Sequence, residues 1–329
     1  MIRVKKDRLN EIIENFNGKK IIVFGDLMLD NYLWGTVVRI SPEAPVPVVE
    51  INSISSRLGG AANVGNNIFS LGGMPVMVGV VGNDQAGESI KSKIKEDGLT
   101  IDGIFVDETR PTTLKTRIIA HNQHVVRTDL ESKRAISPFL QKKILSYIKS
   151  IIDDVDAIIL EDYNKGVIVP NLIKEVVELA SSRSKIITVD PKFNNFFEFT
   201  DVTMLKPNVR ETEDVMGVKL VSEEDVKRIG IEMLNRLQCK CLLLTRGEKG
   251  MTLFLNNSDI TNIPTKARKV HDVSGAGDTV ISTFTMALTG GASFLESAVL
   301  ANYAAGKVCE EVGIVPIEVE KLREFVNNN

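Results

Sequence analysis

The run Lys20-Ile21-Ile22-Val23-Phe24-Gly25-Asp26 sets the reading of the whole chain. Four large apolar residues in unbroken succession fit a strand buried on both faces, closed by a glycine and an aspartate. The same grammar recurs at Pro75–Gly82, Asp156–Leu160, Lys185–Asp190 and Cys241–Thr245. Between these runs, Gln85–Asp97, Pro138–Asp153, Pro170–Ser181 and Glu223–Gln238 carry the spacing of amphipathic helices. Alternation of this kind predicts an α/β fold with a mainly parallel central sheet covered by helices on both faces. Ligands in such sheets bind at the carboxyl ends of the strands, so Asp26, Asp190 and Thr245 gain weight as site candidates.

Two stretches break the rhythm. Tyr32–Ile54 shows little helical signal, and Thr112–Asp129 reads as two strands about a turn near His121–Gln123. They predict a small β-sheet lid inserted, at about 32–57 and 104–130, into a single domain spanning 1–329. No Gly/Ser- or Pro-rich linker marks a second domain. The last third reads as helices at Gly275–Thr289, Phe294–Val312 and Pro316–Asn327.

Composition narrows the class. The chain has 329 residues, 43% hydrophobic and 25% charged, with 40 basic against 43 acidic side chains for a net charge of −3. That balance gives no electrostatic footprint for nucleic acid. The 3 cysteines have no metal-type spacing and cannot all pair within the chain, which favours a reducing compartment. Lys5, Lys6, Asp7, Arg8, Glu11 and Glu14 leave no apolar core for a signal peptide, and no run reaches the ~18 apolar residues of a membrane span. A cytoplasmic enzyme with no membrane partner is the expectation.

The strongest chemical motif is Asp272-Val273-Ser274-Gly275-Ala276-Gly277-Asp278-Thr279, followed by an apolar helical run. Small residues at a helix start let a ligand approach the backbone, and the free N–H groups favour an anion. Asp278 in that first turn would repel a phosphate unless it took a proton from an attacking hydroxyl. The same residues would also serve as an ordinary helix cap. Gly59-Gly60-Ala61-Ala62-Asn63 through Asn67 is a second small-residue helix start. Its amides suit sugar hydroxyls, and tight helix–sheet packing would select the same residues. Asp30 follows the first strand, where it could bind a hydroxyl or cap the next segment. Asn208 with Glu211 three residues on fits a capping box as well as a water-mediated Mg²⁺ site. Thr245 and Gly247 follow a buried strand at a plausible nucleotide edge. Phosphate-loop, dinucleotide, protein-kinase and zinc signatures are all absent.

Taken in order on a βα background, these motifs resemble the ribokinase-like (PfkB) family of ATP-dependent sugar kinases, over nearly the whole length from about Lys19. Gly59–Asn63 resembles the first family signature, Asp272–Asp278 the second, and Asn208–Glu211 the Asn-x-x-Glu motif. Within the family the resemblance is strongest to kinases that phosphorylate D-glycero-β-D-manno-heptose 7-phosphate at C1. It is carried by Gly25–Asp30, the run Arg39-Ile40-Ser41-Pro42-Glu43-Ala44-Pro45-Val46-Pro47, Asn122-Gln123, Asp162-Tyr163-Asn164-Lys165-Gly166 and Asp190-Pro191-Lys192. Many such kinases are fused to a nucleotidyltransferase, and a chain ending at Asn329 places that second activity on another polypeptide.

The resemblance implies a ribokinase-like three-layer sandwich, Asp278 as catalytic base, and Gly275, Ala276 and Gly277 as an anion hole. It implies sugar contacts from Asp30, Asn63, Gly59 and Gly60, with Asp162 and Asp190 at strand ends nearby. Asn208 and Glu211 would organise Mg²⁺ through water. Thr245, Gly247 and Asn302 would wall the ATP pocket, with a monovalent cation near Asp272. An acceptor already phosphorylated at C7 also needs cations at the far end of the sugar, and Lys115, Arg117, Arg127, Lys165 and Lys192 are the candidates. The partners implied are ATP, a sugar phosphate and a second copy of the chain in a homodimer through the lid edge. The other readings are a fructose, ribose or nucleoside kinase, and a non-catalytic nucleotide or sugar sensor.

Overall fold

A computed structural model describes residues 4–121, 123–266, 273–311 and 313–328. Its strands, in chain order, are β1 (Lys20–Gly25), β2 (Leu27–Ile40), β3 (Pro47–Gly60), β4 (Met74–Val81), β5 (Ile104–Val106), β6 (Thr113–Ala120) and β7 (Gln123–Leu130). They continue with β8 (Ala157–Glu161), β9 (Ile186–Asp190), β10 (Met204–Leu205), β11 (Cys241–Thr245), β12 (Met251–Phe254) and β13 (Ile260–Ile263). Nine of them form one sheet in the order β13-β12-β11-β10-β9-β8-β1-β4-β5, parallel except at β12 and β13. The other four form a small sheet, β3-β2-β6-β7. This is the α/β sandwich with a mainly parallel central sheet and a small second sheet expected from sequence.

The unbroken apolar strands feed two cores. Side chains alternate across a sheet, so Ile21 and Val23 join the helices 61–70, 276–289 and 294–308. Ile22 and Phe24 face the helices 138–151, 170–182 and 223–237 instead. Helix starts follow local chemistry: Pro138 occupies the first helical position behind the Ser137 cap, and Ser222 with Asp225 closes a capping box.

A single residue links the first strand of the large sheet to the first strand of the small one. β1 ends at Gly25, β2 begins at Leu27, and Asp26 lies between them, 1% exposed. Its N–H donates to the Glu161 carbonyl, and its own carbonyl accepts the Ala61 N–H at the start of helix 61–70. Its carboxylate accepts the N–H groups of Tyr163 (2.7 Å), Lys165 (3.1 Å) and Val167 (3.3 Å). Gly25 is required beside it, because a Cβ there would overlap the Glu161 backbone. Asp26 is thus a brace for the 163–167 loop, with both carboxylate oxygens bonded to backbone N–H groups.

Several expected boundaries move. The small-sheet strand starts at Leu27 rather than near 32, and Ile104–Val106 belongs to the large sheet, so the second small-sheet segment begins at Thr113. The helix expected to reach 312 ends at Val308, and the last helix starts at Val319. Register places Asp30, Tyr32, Arg57, Lys115, Arg117 and Arg127 on one face of the small sheet. The opposite face carries Ile54, Val126 and Leu130, all exposed. Replacing Asp26 with alanine would leave three N–H groups without their acceptor, and a stability loss of about 3 kcal/mol is expected. Urea denaturation of the Asp26→Ala variant checks it.

Candidate active site

The helix 276–289 begins at Gly275, whose φ of 79° is the left-handed conformation glycine tolerates. A Cβ at 275 would also press on Asn63 Nδ2 at 3.3 Å. Of the three expected anion-hole residues, Ala276 spends its N–H on a turn to the Val273 carbonyl (3.2 Å). The Gly277 N–H takes no acceptor among the described residues. Asp278, third in the helix and 7% exposed, is gripped from two sides. Asn63 Nδ2 donates to one carboxylate oxygen at 2.7 Å, and the Tyr163 hydroxyl donates to the other at 2.9 Å. Burial is the main force that pushes its pKa to about 6, and Asp190 adds to it, while Asn63, Tyr163 and Lys206 hold it down. A carboxylate poised there is suited to taking a proton near neutral pH.

Around Asp278 the parallel strand ends deliver more charge. Ligand oxygens of Glu161, Asp190 and Asp278 lie within 4.8 Å of one another. Two lysines offset them: Lys206 Nζ sits 2.8 Å from Asp190, and Lys192 is 3.7 Å from Asp190 and bonded to Glu211. Burial alone would lower both ammonium groups, but Asp190 and Glu211 outweigh it and keep them above their usual range. Burial would raise Asp190 too, and Lys192 and Lys206 reverse that. Both oxygens of Glu161, which is fully buried, lack a hydrogen-bond partner. Burial, Asp190 and Asp278 push its carboxyl well above the ordinary value. Sequence reasoning passed over Glu161, Tyr163 and Lys206 as site residues. Glu161 and Lys206 were signalled only by a place at or just beyond a strand end, and Tyr163 by that and by the 162–166 run.

Asp190, Lys192, Lys206, Asn208, Glu211, Thr245, Gly247, Asn302 and residues 275–278 line one cavity of about 970 Å³. Asn208 and Glu211 do form a capping box: Asn208 accepts the Glu211 N–H at 2.8 Å, and Glu211 accepts the Asn208 N–H at 2.9 Å. The other Glu211 oxygen meets Lys192. For a water-held Mg²⁺ the fitting acceptor beside Glu211 is Asp190 Oδ1, buried and without a hydrogen-bond partner. Asn208 already commits its carbonyl oxygen to the cap. Asn302 is buried and donates to the Pro264 carbonyl at 2.8 Å.

Toward the small sheet, a Cβ at Gly59 would overlap the Asp30 carboxylate, so the glycine lets Asp30 sit against the turn. Gly60, also at positive φ, packs on the Asp26 carbonyl. Asp30 itself is bonded to Arg117. Lys115 pairs with Asp129 (3.0 Å) and Glu131 (3.6 Å), Lys165 with Glu131 (2.6 Å), and Arg127 with Asp129 (3.0 Å). The expected phosphate cations therefore each have a carboxylate partner in the protein. Lys192 lines the large cavity rather than the sheet side. Two expectations are corrected. Asp162 is fully buried and binds the Asn164 N–H (2.7 Å) and the Asn195 amide (2.9 Å), holding its own turn instead of lining the site. Asn67 is spent on the Asn63 carbonyl, Thr279 and Ile317. Asp272 and Asn122 fall outside the described residues.

Comparison with known proteins gives the following. The model of the "pfkB family carbohydrate kinase" matches residues 18–320. The "Bifunctional protein HldE" of Geobacter sulfurreducens is 42% identical over 91% of this chain and 61% of its own length. The protein of that name from Helicobacter hepaticus is 40% identical over 94% of this chain and 64% of its own. The chain thus spans under two thirds of these relatives. Arabidopsis thaliana ribokinase complexed with ribose and ATP superposes with a TM-score of 0.75 at 18% identity, covering 94% of this chain and 99% of that one. Escherichia coli phosphofructokinase-2 in complex with potassium gives 0.77 at 16% identity, covering 95% and 99%. These two similarities show the fold. No described helix is long and apolar enough to cross a membrane.

Tyr163 and Lys206 both hold the Asp278 carboxyl down. Tyr163→Phe and Lys206→Met should each move its titration upward from about 6, observable by carboxyl ¹³C NMR.

Proposed function

The chain belongs to the pfkB family of carbohydrate kinases, a phosphotransferase with an alcohol acceptor, and from that premise we propose a specific reaction. It transfers the γ-phosphoryl group of ATP to the C1 hydroxyl of D-glycero-β-D-manno-heptose 7-phosphate, giving the 1,7-bisphosphate. The observation that carries the chemistry is Asp278, poised near neutral by burial and aimed by Asn63 and Tyr163 beside a helix start. The substrate is supported by the relatives named HldE, and by the Arg39–Pro47 run with the Tyr163–Lys165 and Asp190–Lys192 segments.

In this reading the C1 hydroxyl loses its proton to Asp278 as its oxygen attacks the γ-phosphorus, and ADP leaves. The Gly277 N–H and the helix start meet charge on the transferred group, with Lys192 and Lys206 close by. Thr245, Gly247 and Asn302 wall the nucleotide. Mg²⁺, when bound near Asp190 and Glu211, supplies charge neutralisation on the phosphates. A monovalent cation near Asp272 is part of the reading. The small sheet acts as a lid over the sugar, and its exposed apolar face, with Ile54, Val126 and Leu130, is the surface for a second copy of the chain.

An ADP-release assay over sugars and sugar phosphates tests the substrate. Turnover of heptose 7-phosphate is expected; phosphorylation of ribose or adenosine with none of heptose 7-phosphate overturns the assignment. Asp278→Asn should lose roughly a hundredfold or more in kcat while still binding ATP. Because the base works unprotonated, kcat/KM of the wild type should fall as pH drops through about 6. A flat profile from pH 5 to 8 would remove Asp278 from the role.

A further inference from the structure

We propose that Arg57, a residue the family motifs leave out, recognises the phosphate carried at the far end of the acceptor sugar. Arg57 pairs with Asp30 across β2 and β3, and Arg117 pairs with Tyr32 across β2 and β6, so all four side chains share one face of the small sheet. Both guanidinium groups lie over the Tyr32 ring, Arg57 at 5.6 Å and Arg117 at 5.3 Å from its centre. Two cations thus flank one ring, and the carboxylate beside them, Asp30, is bonded to Arg117.

The charge count on this face singles out Arg57. Lys115, Arg117, Arg127 and Lys165 each have a carboxylate partner. Arg57 is half-buried, and although Asp30 lies opposite it in register, no carboxylate forms an ion pair with it among the described residues. Its Nη1 donates to a neutral acceptor, the Ile314 carbonyl, at 2.6 Å. A guanidinium has five donors in a fork that matches a phosphate. Withdrawing one from water without a counter-charge is costly, and an anionic ligand removes that cost.

Position fits the same conclusion. Arg57 and Asn63 line one cavity of about 430 Å³, and Asn63 is the residue that holds Asp278 at 2.7 Å. Asn63 thus stands between Asp278, on the wall of the larger cavity, and Arg57, on the wall of the smaller one. Lys93 also lines this cavity as a second cation, together with the exposed carboxylates Glu96 and Asp97.

The inference rests on the kinase reading for the acceptor hydroxyl, and its test separates the two. The kcat/KM values of wild type, Arg57→Gln and Arg57→Lys are measured for heptose 7-phosphate and for the same heptose without phosphate. Arg57→Gln should lower the preference for the phosphorylated sugar roughly thirtyfold or more, mostly through KM, with part of it restored in Arg57→Lys. An unchanged preference overturns the inference, whether both activities fall together or neither falls. A wild type that turns over neither heptose refutes the substrate assignment instead. Arg57 is then judged by thermal stabilisation with inorganic phosphate while ADP fills the nucleotide cavity. Stabilisation lost in Arg57→Gln supports the role, and equal stabilisation overturns it.

Discussion

The site depends on a single buried carboxylate that does none of its chemistry. Asp26 is the one residue between the large sheet and the small one, and its three N–H acceptances fix the loop after β8 against the end of β1. Its carbonyl fixes the start of helix 61–70. The first tie places Glu161 and Tyr163, and the second places Asn63. Helix 276–289 then packs between them, so the grip on Asp278 from Asn63 and Tyr163 follows from where Asp26 holds two separate segments. A buried carboxylate is tolerable here because backbone N–H groups replace the water it loses.

The same economy governs the charges around Asp278. A net charge of −3 supplies no global attraction for anionic substrates, so attraction has to be local. Three acids and two lysines converge where parallel strands end, and their arrangement is uneven. Lys206 is committed to Asp190 and leaves Asp278 held by neutral donors. That division keeps Asp190 ionised while Asp278 hovers near neutrality. Had Lys206 bonded to Asp278 instead, its carboxylate would be a permanently ionised and weaker base.

Sequence legibility followed the physics of each signal. Strands buried on both faces announce themselves by composition, and Cys241–Thr245 has the bounds its sequence indicates. Helices with proline at the first turn, such as 138–151 and 170–182, were equally plain. The small sheet was harder to bound. Its first strand runs on from β1 across one residue, and no turn chemistry marks where one sheet hands over to the other. Within the site, residues joined by local backbone were readable: Gly275–Asp278 and the Asn208–Glu211 box. Pairings across strands were not. The bond from Arg117 to Asp30 turns an expected sugar ligand and an expected phosphate ligand into partners, and only β2–β6 register reveals it. Lys206 is invisible for a related reason, since lysines are mostly exposed and nothing local says that this one is 4% exposed beside Asp190.

Lys192 and Lys206 show how far position alone divides two like residues. Each follows a strand of the large sheet, and each pairs with Asp190. The Lys206 side chain is enclosed, and its Nζ would lie 3.3 Å from a Cβ at 277, so it is a fixed charge behind the helix start. Lys192 keeps 26% of its side chain exposed, lies over the Tyr163 ring at 5.2 Å, and bridges Asp190 to Glu211. Moving Lys206 would break its 2.8 Å ion pair with Asp190 inside the protein, whereas Lys192, partly exposed, can turn to another anion while keeping one of its two carboxylates. The capping box sharpens this difference, because Glu211 is anchored by the Asn208 N–H whether or not Lys192 stays. The cavity wall thus combines one immobile positive charge with one that can be redirected, both within reach of the only helix start that presents Gly277 and Asp278 together.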